Sequence, residues 1–157
     1  MGEARVILHA TCVAYGTRAA LLRGGSGAGK SDLALRFLAL PSERGLAPML
    51  IADDQVCVEA ATDGTLLVSP PKTIAGKIEV RGVGIVALPY LAQAHLVLVV
   101  DLVRAAEVPR MPPERETVTI AGMAVPRLKL APFEGSAAVK LKLALLQAGS
   151  SEQSGPS

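Results

Sequence analysis

The sequence has no tryptophan, two phenylalanines and two tyrosines, so aromatic residues make up 3% of its 157 residues. That is too few rings for an extended base-stacking surface or an aromatic sugar site. Charge of one sign is lacking too. Lys plus Arg number 16 against 14 for Asp plus Glu, a net charge of +2, which argues against a general nucleic-acid binder or a polybasic membrane partner. Cysteine is scarce. Cys12 and Cys57 make neither a Cys-x-x-Cys pair nor a zinc spacing, and they read as two small buried hydrophobes. The longest apolar run, Leu96 to Val100, falls far short of the roughly 20 residues of a spanning helix. No basic stretch followed by an apolar one opens the chain. Val6 stands where a myristoylation motif beginning at Gly2 needs Ser or Thr. The expectation is a cytoplasmic protein with no membrane and no nucleic-acid partner.

What is present is aliphatic. Half of the residues are hydrophobic and 19% are charged, a globular rather than a disordered composition. The length suits one domain with a core of Leu, Val, Ile and Ala. Arg5 to Ala14 reads as a strand, Gly16-Thr17 as a turn and Arg18 to Leu22 as a second strand of a hairpin. Leu33, Leu35, Phe37 and Leu38 predict a short helix over Ser31 to Leu40, stopped by Pro41. Short strands follow at Met49–Ala52, Val56–Glu59 and Leu66–Val68, the last two joined by a turn at Asp63-Gly64. Ile78 to Val86 mixes β-branched residues with Gly82 and Gly84, and His95 to Leu102 is a buried strand. Val103 to Glu116 is a polar loop, Val118–Ile120 and Arg127–Leu130 are strands, and Ala137–Leu146 is a closing helix. The expected organisation is one domain over residues 1–148 and a disordered polar tail over 149–157. The fold class is α/β, with more short strands than regular strand-helix units provide.

The sharpest motif is Gly24-Gly25-Ser26-Gly27-Ala28-Gly29-Lys30-Ser31. It fits G-x-x-x-x-G-K-[ST] at every fixed position, after an apolar strand and before a helical pattern. Glycines let successive backbone N–H groups turn inward around phosphate oxygens, and the helix start adds partial positive charge there. Lys30 is the expected contact to the β- and γ-phosphates, and Ser31 the Mg²⁺ ligand.

Such a loop needs carboxylates nearby, expected at strand ends. Asp53-Asp54 follows Met49 to Ala52, and Asp101 follows Leu96 to Val100. By the simplest rule, a hydrophobic strand ending in Asp, Asp101 is the better metal carboxylate. Asp53-Asp54 is chemically richer, since neighbours on a strand face opposite ways and one carboxylate can address a metal while the other faces an acceptor hydroxyl. Glu79 and Arg81, two apart, share a face if both lie on a strand, and pair a metal ligand with a cation for phosphate charge. His9 and His95 read by themselves as strand histidines. Arg110 and Arg115 sit in a Pro-rich loop where lid arginines would lie.

Taken in order, His9, the glycine loop, Leu50-Ile51-Ala52-Asp53-Asp54, Ile78-Glu79-Val80-Arg81-Gly82-Val83-Gly84-Ile85 and Arg115 resemble the catalytic domain of HPr kinase/phosphorylase, over roughly residues 5 to 147. The resemblance implies a P-loop kinase core of mixed β-sheet with flanking helices, without the N-terminal domain that the family usually carries. It implies ATP and Mg²⁺ as cofactors, a serine of the phosphocarrier protein HPr as substrate, and a homo-oligomer, a hexamer in the family. By the same resemblance His9, Lys30, Arg81 and Arg115 are catalytic, and Asp54 exchanges the proton of the protein serine. Ser31 and Glu79 are then Mg²⁺ ligands, with Asp53 supporting the metal, and Asp101 becomes structural.

The sequence departs from the family in three places, one of them a longer connection, Leu40 to Ala47, before the Asp53-Asp54 strand. Asp32 replaces a Glu after the loop serine. Leu130-Ala131-Pro132-Phe133-Glu134-Gly135-Ser136 replaces a Pro-Val-x-Pro-Gly-Arg-Asn type loop that serves phosphate removal from phosphoserine. The loss of the basic residue and the appearance of an acid, Glu134, predict weak phosphorolysis. Two other readings stand beside the protein kinase: a small-molecule P-loop kinase, which leaves Asp53-Asp54 and Glu79-Val80-Arg81-Gly82 unexplained, and a non-catalytic nucleotide-binding regulator, which the intact Lys30, Ser31, Asp54 and Glu79 oppose.

Overall fold

The computed structural model describes residues 5–112 and 116–153. Its main sheet is built on a central strand, β9 (Ala94–Leu102), which reads as a continuous apolar run because both of its faces are buried. β3 (Arg18–Arg23) runs parallel to it on one edge. On the other edge its start pairs antiparallel with β6 (Leu66–Ser69), and its end pairs parallel with β11 (Met123–Leu130). The sheet continues through β2 (Thr11–Tyr15) and β4 (Pro48–Ala52) beyond β3, and through β5 (Val56–Ala60) and β1 (Arg5–Leu8) beyond β6. β10 (Thr117–Ile120) forms a hairpin with β11. β7 (Lys77–Val80) and β8 (Gly84–Ala87) make a separate hairpin.

Alternation along the strands divides the interior in two. Val13, Tyr15, Ala20, Leu22, Leu98 and Val100 face α1 (Lys30–Leu38) and α2 (Ala137–Gln153), which contribute Leu33, Phe37, Leu141 and Leu145 to the same core. Cys12, Ala14, Ala19, Leu21, Ile51 and Val99 face the other way, onto Val56, Val58, Val68, Ile120 and Val125 from the curled ends of the sheet. Both helices thus lie on one face, and the sheet covers its second core itself. Cys12 and Cys57 are unbonded and buried, as small hydrophobes should be, and burial pushes the Cys12 thiol far above its usual range.

Three local expectations change. The run Arg5 to Ala14 is two strands, broken at His9-Ala10, because β1 pairs with β5 while β2 pairs with β3 and β4. The Ala10 N–H leaves the ladder and donates to the Asp54 carbonyl at 3.1 Å. The run Ile78 to Val86 is a hairpin that turns at Arg81–Val83, with the Val83 N–H on the Val80 carbonyl at 2.9 Å. The final helix extends to Gln153, past Leu146 and through the first five residues of the expected tail. Once nucleated on the sheet, a helix gains one hydrogen bond per residue fixed, and Gly149 costs only about 1 kcal/mol against Ala. Residues 154–157 lie outside the described residues. No helix among the described residues is long and apolar enough to cross a membrane.

Candidate active site

The glycine loop links the end of β3 to the start of α1 at the carboxyl end of the parallel strands, the usual ligand side of such a sheet. Gly24 must be glycine for space, since a Cβ there would meet the Ala28 Cβ at 2.6 Å. Gly29 caps the helix at φ +97°, a left-handed conformation that side chains disfavour. The Lys30 ammonium folds back over the loop and donates to the Gly24 carbonyl at 2.6 Å and the Gly25 carbonyl at 3.2 Å.

Thr11 and Asp53 are the buried polar residues among those described. They are bonded to each other: the Thr11 hydroxyl donates to Asp53 Oδ1 at 3.0 Å. The Ser31 hydroxyl donates to the same oxygen at 2.7 Å, and the Glu79 N–H reaches Oδ2 at 3.3 Å. One carboxylate therefore joins β2, the end of β4, the first turn of α1 and the β7 hairpin. Thr11 was not singled out from the sequence, though a lone hydroxyl in an apolar strand was the available signal.

Asp54 is built differently. It is exposed and sits at φ +73°. The Gln55 N–H donates to the Asp53 carbonyl at 2.8 Å, which closes a γ-turn of the rare positive-φ hand around Asp54. The bond from Ala10 to the Asp54 carbonyl brings the exposed His9 beside this turn. Strained residues of this kind collect at functional sites.

Glu79 has an exposed side chain on β7, with its backbone tied to Asp53. Arg81 does not share its strand face as expected, because β7 ends at Val80 and Arg81 lies in the exposed hairpin turn. Arg115 lies outside the described residues. Asp101 is engaged by Arg23 and Arg127. Burial pushes its carboxyl up, but hydrogen bonds and charge from Arg23 and Arg127 outweigh this and hold it below the usual carboxylate range. Arg23 grips it at 2.8 and 3.1 Å, and Arg127 closes the other side. His95 stands at the opposite end of β9, by a concavity of about 670 Å³ that Arg18 also lines, well away from the glycine loop.

No cluster of three His, Cys, Asp or Glu side chains suited to a metal is present among the described residues. Mg²⁺ does not require one, since it binds through one or two protein oxygens and fills its shell with phosphate and water. The hydroxyl of Ser31 against the carboxylate of Asp53 fits that demand.

In the late loop Glu134 is held by Lys140 at 2.8 Å. Arg36 of α1 donates to the carbonyls of Pro132 and, at 3.3 Å, Glu134, and to Asp32 at 3.0 Å. The sequence held no sign that Arg36 would tie these segments together.

Fold and site define a class: an α/β domain with a glycine-rich turn between strand and helix and a strand-end aspartate on the serine that follows it. The chain belongs to the HPr serine kinase C-terminal domain family, whose model matches residues 3–142. It is 30% identical over 136 residues to HPr kinase/phosphorylase of Streptococcus thermophilus, covering 80% of this chain and 42% of that protein. It is 40% identical over 84 residues to HPr kinase/phosphorylase of Clostridium botulinum, covering 54% of this chain and 25% of that protein. The chain thus spans less than half the length of these relatives. A solved structure of the Hpr(Ser) kinase/phosphatase from Coxiella burnetii matches with a TM-score of 0.76 over 96% of this chain and 93% of that one, at 22% identity, a likeness of fold.

Proposed function

We propose that this chain is an ATP- and Mg²⁺-dependent protein-serine kinase acting on the phosphocarrier protein HPr, in the regulation of carbohydrate metabolism. The observation that carries the reading is the Asp53–Asp54 turn: one carboxylate buried against Ser31, the next exposed in a strained backbone. The two neighbours thereby hold separate tasks.

The backbone N–H groups of Gly24 to Ser31 bind the triphosphate and orient it. Lys30 leaves the loop carbonyls for the β- and γ-phosphates. Ser31 and Asp53 would hold Mg²⁺, with Glu79 as the second carboxylate. When bound, the metal would neutralise charge on the triphosphate. Asp54 accepts the proton of the HPr serine hydroxyl as the serine oxygen bonds to the γ-phosphorus and the bond to the β–γ bridging oxygen breaks. His9, whose neighbour Ala10 bonds the Asp54 carbonyl, completes the catalytic set. Arg81 and Arg115 supply cations for the transferring phosphoryl group. Acting in reverse, Asp54 returns the proton. We infer that this reverse, phosphorolytic direction is weak, since the late loop lacks the family's basic residue and carries the acid Glu134.

The test is incubation of the purified chain with γ-labelled ATP and either HPr or a panel of small metabolites. Label is expected on an HPr serine, and is lost in Asp54→Asn while nucleotide binding persists. Transfer to a metabolite alone overturns the protein-kinase reading, and binding without transfer to any acceptor supports a regulator.

A further inference from the structure

The sequence has two phenylalanines, and they have opposite fates. Phe37 is fully buried beneath α1, whereas Phe133 is 71% exposed. The exposed ring is nonetheless placed. A Cβ built on Gly29 would stand 3.0 and 3.1 Å from Phe133 Cζ and Cε1, and 3.2 Å from the Pro132 Cβ. One edge of the ring therefore rests on the residue that caps α1, and the rest meets solvent. The segment that carries it is fastened at several points. Arg36 binds the carbonyls on either side of Phe133, those of Pro132 and Glu134. Lys140 of α2 holds the Glu134 carboxylate at 2.8 Å, and the Glu134 carbonyl accepts the Ala137 N–H at 3.1 Å. An exposed ring gains nothing from burial, so fastening one beside the glycine loop implies a partner for its open face.

We propose that Phe133 is the platform on which the base of a purine nucleoside triphosphate stacks while its phosphates lie on Gly24 to Ser31. This deepens the proposed function and rests on its phosphate-loop reading. Ligands of open α/β sheets lie beyond the carboxyl ends of the strands. Around the glycine loop those ends lead into the segments after β9 and β11. Of these, the one after β11 seats a ring on the helix cap. Stacking suits any base, because every base has a π-face. Ala131 to Gly135 has a ring face and no side-chain amide to read a base edge, and its one carboxylate is engaged by Lys140. The site therefore takes adenine and guanine nucleotides alike, and smaller pyrimidines less well. Composition disfavoured an aromatic surface, but one base needs only one ring.

The chain contains no tryptophan, so Phe133→Trp creates a single fluorescent reporter at the platform. The probes are ATP, GTP and inorganic tripolyphosphate, each with Mg²⁺, and affinities are measured by calorimetry. Both nucleotides are expected to quench the Phe133→Trp emission, and tripolyphosphate to bind without quenching. Phe133→Ala should weaken ATP and GTP about tenfold and leave tripolyphosphate unchanged. Phe133→Leu should weaken them nearly as much, since it keeps bulk without a π-face. Equal loss for tripolyphosphate and ATP, unchanged ATP affinity in Phe133→Ala, or full recovery in Phe133→Leu overturns the platform while leaving the phosphate-loop reading intact. If the unmutated chain binds neither ATP nor tripolyphosphate, the phosphate-loop reading itself falls.

Discussion

The hydroxyl of Ser31 donates to Asp53 Oδ1 at 2.7 Å, across a helix start and a strand end that stand 22 positions apart in the sequence. The same oxygen accepts from Thr11, whose side chain is fully buried. Removing the carboxylate therefore strands a buried hydroxyl as well as the loop serine. Asp53→Ala should lower unfolding stability by about 1–3 kcal/mol, read by urea denaturation, and should abolish Mg²⁺-dependent nucleotide binding. Unchanged stability would show that Thr11 finds another partner.

Asp54 separates charge from strain. Asn tolerates the left-handed region as Asp does, so Asp54→Asn should leave stability nearly unchanged and stop phosphoryl transfer. Glycine relieves the turn at φ +73°, so Asp54→Gly should raise stability by about 1 kcal/mol and also stop transfer. Thermal melts alongside the labelled-ATP assay check both, and a destabilised glycine variant would contradict the strain.

Two adjacent glycines should behave oppositely. A Cβ on Gly24 would stand 2.6 Å from the Ala28 Cβ, whereas one on Gly25 meets nothing within 4 Å. Gly24→Ala should cost about 1–3 kcal/mol through overpacking, and Gly25→Ala about 0.5 kcal/mol or less. Parallel denaturant titrations decide it.

Asp101 sets an acid limit on stability. Its folded carboxyl is held below the ordinary 3.8 by Arg23 and Arg127, against the upward push of burial. The sign follows: the unfolded chain binds the proton more readily, so this contribution is complete above about pH 4 and is lost as pH falls through the lower folded value. Asp101→Asn should reduce stability at neutral pH and flatten its fall below about pH 4. Equal losses at both pH values would remove the ion pairs from the account.

The late loop predicts a direction of catalysis. With seryl-phosphorylated HPr and inorganic phosphate, pyrophosphate release should be slow relative to the forward reaction. Vigorous release would show that Glu134, already paired with Lys140 at 2.8 Å, does not repel phosphate.

Motif and order were legible along the chain. The glycine loop, the Asp53-Asp54 pair and the strand before each could be read because their chemistry is written in consecutive residues, and the resemblance built on them agrees with the family to which the chain belongs. Composition likewise determined an aliphatic core and two buried, unpaired cysteines.

Which carboxylate meets Ser31 was not legible in strand patterning, which favoured Asp101; in the structure Asp101 is bonded by Arg23 and Arg127, and Ser31 donates to Asp53. The turn that removes Arg81 from the face of Glu79 and the positive φ of Asp54 are closed by local bonds, from the Val83 N–H to Val80 and from the Gln55 N–H to Asp53, while the break at His9 follows from the pairing of distant strands. The seating of Phe133 on Gly29 likewise joins distant segments. Local sequence determines what a residue can do chemically and which backbone conformations it prefers. Which groups meet depends on strand pairing and helix packing, where long-range contacts override the local preference.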